Sequence, residues 1–185
     1  KFRKKTFNKY LGWPIKNIIT CPSFRYFKQS FDEKFVNKIL LPSGIHDNKI
    51  IIENFKHLIK RHRNLNLNKL QVREHPNSTD TKKQKKLKLE LNNLISKYKL
   101  NLSNKTKNSN YIIVVGITSL VILALQKNYK VIQICMDTEI QTYTKLFWPS
   151  LKVKKINNFI FEYSLRKKER LFQYGKKKIA LDYFK

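Results

Sequence analysis

From residue 38 onward the chain alternates two hydrophobic rhythms. Short β-branched or apolar runs at 38–41, 70–73, 112–115 and 130–135 read as strands. Between the first two, Ile51, Ile52, Phe55, Leu58 and Ile59 recur at helical spacing, predicting a helix over about 47–63 with Asp47 as its N-cap. Leu87, Leu91, Leu94, Ile95 and Tyr98 form the stripe of a second helix, about 81–98, under a lysine-rich outer face, with Asn77, Ser78, Thr79 and Asp80 as possible caps. A polar loop at 101–110 follows. The strand at 112–115, a helix at 119–127 and the strand at 130–135 then make a compact βαβ unit, whose helix is apolar nearly all round and so belongs inside.

Further along, the pattern predicts a short helix at 139–147, with Ile140, Tyr143 and Phe147 on one side, stopped by Trp148-Pro149. A strand at 152–156, a return element at 159–163 and a basic helix at 165–174 complete the chain. Alternating βαβα order implies an α/β fold, a Rossmann-like, doubly wound, parallel sheet with right-handed crossovers and helices on both faces. Residues 1–35 lack steady periodicity but carry nine aromatic residues, too many for a disordered tail. The expected organisation is an aromatic-rich segment at 1–36 that packs on the domain or on a separate N-terminal half, a nucleotide-binding domain at 37–163, and a basic helix or tail at 164–185.

The 185 residues, 41% of them hydrophobic, suffice for one domain with a real core. The chain begins with Lys1 rather than Met, which reads as part of something longer or as a processed chain. Its longest apolar run, 111–125, is interrupted by Gly116, Thr118 and Ser119 and falls short of the roughly 20 residues of a membrane span. No signal-peptide pattern is present. Cys21 and Cys135, far apart and without zinc spacing, suggest reduced thiols in a cytoplasmic protein. The formal charge of +28 invites a nucleic-acid reading, but only seven of the 40 basic residues are Arg, and the basic runs are spread along the chain. Nucleic-acid recognition favours Arg for bidentate contacts, so solvated lysine faces are the preferred reading and nucleic acid an unfavoured partner. Attraction to an anionic membrane leaflet is a looser expectation, at about 1 kcal/mol for each basic residue near the surface.

Two short motifs carry chemistry. Gly116-Ile117-Thr118-Ser119 lies between a β-branched strand and a helix, where Gly lets the backbone approach a ligand and the two hydroxyls can cap the helix or donate to a phosphate at its N-terminus. Plain N-capping without a ligand explains it equally well. It matches neither the P-loop nor the GxGxxG pattern. Arg73-Glu74-His75-Pro76 closes the strand at 70–73, so that His75 is expected on the same carboxyl rim as Thr118 and Ser119, where open α/β sheets bind ligands. The alternative is a surface loop histidine. His57 and His62 read as helix surface, and His46 has no comparable context. Asp137 and Glu139 could accept hydrogen bonds from ribose hydroxyls, or simply cap a short helix. No carboxylate cluster or His/Cys spacing suggests a metal.

The order strand, Pro42-Ser43-Gly44, helix; strand, Arg73-Glu74-His75-Pro76; strand, Gly116-Ile117-Thr118-Ser119, helix; strand resembles the C-terminal, donor-binding domain of GT-B-type glycosyltransferases. It is most similar to the bacterial polysialyltransferase and sialyltransferase group of capsule and surface-carbohydrate synthesis. The resemblance covers about residues 38–163, with 21–26 as a leading segment. It implies an inverting transferase with a nucleotide-activated sugar donor, CMP-sialic-acid-like, and a glycan or lipid-linked acceptor. With the residue patterns above, the expectation is no metal or other cofactor and a cytoplasmic setting, with peripheral contact at the inner membrane face as the looser expectation that the lysine charge carries. In that group a His-Pro pair and a Ser/Thr pair contact the nucleotide and its phosphate. These map onto His75-Pro76 and Thr118-Ser119, with His75 the catalytic group and Gly116 and Arg73 lending a close approach and a charge. The group's acidic-acidic-glycine segment, which supplies the general base, has no match, so that base is expected on an N-terminal half. The leading alternative is a basic RNA-binding or ribosome-associated protein.

Overall fold

The computed structural model describes residues 2–17, 33–42, 47–62, 65–75, 81–99, 111–135, 143, 148 and 150–166. In chain order these form α1 (Phe2–Leu11), a 3-10 turn (Ile15–Asn17), a second 3-10 turn (Glu33–Phe35), β1 (Lys38–Leu40) and α2 (Asn48–Arg61). They continue as β2 (Gln71–Arg73), α3 (Thr81–Lys99), β3 (Tyr111–Val115), α4 (Leu120–Gln126), β4 (Lys130–Ile134), β5 (Leu151–Lys155) and β6 (Ile160–Leu165). The strands make one six-stranded sheet in the order β2-β1-β3-β4-β6-β5.

Strands β1 to β4 are parallel, as their βαβ spacing requires. Alternate residues of the central strands point to opposite faces, and both faces are covered, which is why β3 reads as an unbroken apolar run buried at every position. On one face Ile39, Val72, Ile113, Val115, Ile132 and Ile134 pack with Ile51, Phe55 and Leu58 of α2 and Leu87, Leu91 and Ile95 of α3. On the other, Ile112, Val114 and Val131 pack with Val121–Leu125 of α4, and with Tyr143, Phe161 and Tyr163. The first stretch of α2 is set by the expected cap: the Asp47 carboxylate accepts from the Lys49 amide at 2.8 Å.

The sheet departs from the fully parallel expectation at one edge. β6 is antiparallel to both β4 and β5. The connection between β5 and β6 is four residues, too short for the crossover a parallel pair needs, so the chain must reverse. Asn157 builds that reversal, its side-chain oxygen accepting from the Phe159 and Ile160 amides at 2.8 and 2.7 Å. Its amide donates to Asn54 of α2 at 3.0 Å, fastening the hairpin to the helical face. Leu165, expected to open a terminal helix, ends β6 instead.

At the amino end, aperiodic sequence conceals α1. Its ten residues lack an apolar stripe, and the helix closes at Gly12, whose φ of +67° suits the left-handed residue that ends helices and whose amide donates to the Asn8 carbonyl at 3.0 Å. The helix expected at 139–147 lies outside the described residues except for Tyr143, and the basic helix expected at 165–174 does so beyond Arg166.

Phe55 is fully buried between the helices and the sheet, whereas Asp47 contributes mainly one cap. Phe55→Ala is expected to cost about 3–5 kcal/mol and Asp47→Ala about 1 kcal/mol. Urea unfolding of the two variants checks the ratio; comparable losses would contradict the packing described.

Candidate functional site

The register of the parallel strands determines which loops meet. Leu40 of β1 pairs with Arg73 of β2 on one side and with Val114 of β3 on the other. Two residues beyond those partners stand His75 and Gly116. The two motifs therefore leave the sheet at one level, on one rim, separated by β1 alone, or two strand spacings of about 9–10 Å. Strand order also reverses here, since the chain runs outward from β1 to β2 on one side and from β3 to β4 on the other. Crevices at such reversals are where open α/β sheets hold ligands.

Two buried glutamines shape this rim. Gln84 of α3 is fully buried; its amide donates to the Pro42 carbonyl after β1, and its oxygen accepts from the His75 amide after β2 at 3.2 Å. One side chain thus clamps the ends of two strands, and the Glu74–Lys88 ion pair at 2.8 Å adds a partly exposed tie from the same loop to α3. Gln133 of β4, also fully buried, donates to the Gly116 carbonyl at 2.8 Å and accepts from the Tyr163 hydroxyl at 3.0 Å. Tyr143 donates to the Thr118 carbonyl at 3.0 Å and meets the Tyr163 ring edge-on, centroids 5.5 Å apart. Burial, with neighbouring Cys135 and Tyr143, pushes the Tyr163 hydroxyl well above its ordinary range, so it stays a donor.

Gly116 sits at φ +74° in the interior, a backbone state that L side chains rarely adopt, and its amide donates to the Ile134 carbonyl at 2.8 Å. The Thr118 hydroxyl accepts from the Leu120 amide at 3.3 Å, so Thr118 caps α4. Ser119 stands at the cap position in helical conformation and makes no side-chain capping bond. Arg73 lays its guanidinium 4.6 Å over the Phe35 ring. His75 is partly buried. Pro76, Asp137 and Glu139 lie outside the described residues, as do Ser43 and Gly44.

Gln84, Gln133 and Tyr163 are absent from the sequence-derived site. Gln84 has a faint signal: it occupies the inward stripe of α3 together with Leu87, Leu91 and Ile95. Gln133 likewise takes an inward strand position between Val131 and Cys135.

The histidines of α2 are a correction. His62 is the C-cap of α2 rather than surface, with its side chain only 10% exposed. Its Nε2 lies 3.1 Å from Glu162 of β6, while the Tyr111 hydroxyl donates to the same carboxylate at 3.5 Å. The hydrogen bond from His62 holds the Glu162 carboxyl below its ordinary range, with Lys154 and Lys130 contributing charge. Burial and Glu162 push the Tyr111 hydroxyl up to about 12. Tyr111 and Lys130 begin their strands, so this cluster lies at the amino ends, opposite the rim. His57 also has a buried Nε2 with no hydrogen-bond partner.

Among the described residues, no group of three or more His, Cys, Asp or Glu could hold a metal ion, and no helix is long and apolar enough to cross a membrane. Compared with protein-family models, curated proteins and solved structures, the chain gives no match.

Two outcomes test this geometry. Gln133→Leu strands a buried carbonyl and a buried hydroxyl and is expected to cost about 2–4 kcal/mol by urea unfolding, well above a surface Gln→Leu control. For Glu162, whose carboxyl is depressed in the fold, the stabilisation is present above its unfolded pKa and is lost as pH falls through the folded value. Between pH 7 and 3 the urea midpoint of Glu162→Gln should therefore fall less than that of the wild type; parallel pH curves would remove Glu162 from the account.

Proposed function

We propose that this chain is the donor-binding domain of a GT-B-type glycosyltransferase of surface-carbohydrate synthesis, a Rossmann-like doubly wound unit that holds a nucleotide-activated sugar, CMP-sialic-acid-like. The observation carrying the reading is the strand register, in which the His75 loop and the Gly116–Ser119 turn flank β1 at the reversal of strand order. Support also comes from the anchoring of both turns by fully buried amides, since a site for developing charge must not reorganise during reaction.

In this reading the bond from the anomeric carbon to the phosphate oxygen breaks, and negative charge grows on the departing nucleotide. His75 stabilises the leaving phosphate by a charge-assisted hydrogen bond. Thr118 and Ser119 orient its oxygens through their hydroxyls; Ser119 makes no capping bond that would compete. Gly116 keeps the turn close to the ligand. Pro76 shapes the His75 loop, and Asp137 and Glu139 are candidate ribose partners. Arg73 contributes positive potential at the strand end, with its guanidinium anchored over Phe35. The acceptor, a glycan or lipid-linked sugar, is deprotonated by a general base on a separate domain, because the acidic-acidic-glycine segment has no counterpart in this sequence. No metal or other cofactor takes part in this scheme. The setting is cytoplasmic, peripheral at the inner membrane face.

Calorimetric titration with cytidine and uridine mono- and diphosphates tests the reading. His75→Ala is expected to weaken nucleotide binding by about 10- to 150-fold, the equivalent of roughly 1.5–3 kcal/mol, with little loss of fold. Thr118→Ala combined with Ser119→Ala should weaken it too and cost about 1 kcal/mol of stability from the Thr118 cap. Equal affinity in wild type and both variants would sink the site.

A further inference from the structure

Residues 1–17 contain six basic and no acidic residues. At the carboxyl end of α1 they also expose four large apolar side chains within six positions: Tyr10 56%, Leu11 54%, Trp13 54% and Ile15 45%. Single exposed apolar residues are ordinary on protein surfaces, whereas a contiguous group marks an interaction surface.

This tip is built rather than frayed. Gly12 ends α1 in the left-handed conformation and turns the chain, and Asn8 donates from its side-chain amide to the Trp13 carbonyl at 2.9 Å. Phe7 packs against the Trp13 ring at 5.6 Å between centroids. Lys9 lies 5.2 Å over the Tyr10 ring. Lys5, Lys9 and Lys16 are exposed, so cations flank the apolar group.

We infer that this tip docks the protein on an anionic lipid bilayer, Trp13, Tyr10, Leu11 and Ile15 entering the headgroup–acyl boundary while the lysines meet lipid phosphates. Charge complementarity requires an anionic partner. The aliphatic members decide between the two common ones: Leu11 and Ile15 have no π-face on which a nucleobase could stack, but they partition into an acyl boundary, as do Trp and Tyr. The surface holds or fails independently of nucleotide binding, because it stands on α1 and the 3-10 turn after it.

Flotation of the full chain with vesicles of 70% phosphatidylcholine and 30% phosphatidylglycerol, and with pure phosphatidylcholine, tests this at 0.15 M salt. Binding is expected only to the anionic vesicles. Leu11→Ser combined with Trp13→Ser should weaken it at least tenfold, and Lys5→Gln, Lys9→Gln and Lys16→Gln together on the order of a hundredfold. Matched circular dichroism and thermal midpoints confirm that the variants fold. As a second readout, acyl-chain bromine should quench wild-type tryptophan fluorescence, and most of that quenching should be lost in Trp13→Phe. No binding to anionic vesicles, binding indifferent to Leu11 and Trp13, or tighter binding to a structured RNA that is insensitive to both residues would overturn the inference.

Discussion

Strands buried on both faces end in backbone groups largely hidden from water, and a hidden amide or carbonyl needs a partner inside the protein. Two primary amides meet that demand at the carboxyl rim. Gln84 has one donor directed at the β1 end and one acceptor taken by the β2 end, so a single side chain resolves both. Gln133 does the same between the Gly116 carbonyl and the Tyr163 hydroxyl. An apolar residue at either position would fill space while leaving two polar groups unpaired, a loss larger than the gain from its packing. The positions of the His75 loop and the Gly116 turn are consequences of this pairing.

At the amino ends of the strands a side-chain cluster around one carboxylate does the joining. Glu162 comes from the antiparallel β6, yet its carboxylate takes His62 from the end of α2 and Tyr111 from the start of β3. The cluster joins the edge hairpin to the helical face from below, as Asn54 and Asn157 do at the hairpin turn. Two ends of one sheet are thus closed by different chemistry. Neutral amides and the partly exposed Glu74–Lys88 ion pair tie the rim, whereas at the opposite end the Glu162 carboxylate meets His62 and Tyr111.

The α4 helix has seven residues, too short for its dipole to dominate anion recognition. In the proposed reading, recognition at the Gly116–Ser119 turn therefore rests on hydroxyls and local backbone geometry. This makes the fixed position of the turn, and the amide beneath it, more consequential than the helix behind it.

Much of the fold was legible in the sequence because it depends on periodicity. The stripe of α2, the stripe of α3 and the apolar β3–α4–β4 unit follow from residue order alone, as does the Asp47 cap, since each is a local relation over a few residues. Hidden from sequence were α1, which has no apolar face to betray it, and the direction of β6, which a four-residue connection settles only once both strand ends are known. The rim motifs were recognisable as residue types, but their adjacency was not, since it depends on β1 standing between β2 and β3. The partners of Gln84, Gln133 and His62 lie 9 to 100 positions away along the chain. Sequence determines which side chains are available to satisfy buried polar groups; only the folded chain decides which groups are buried, and so which side chains are needed.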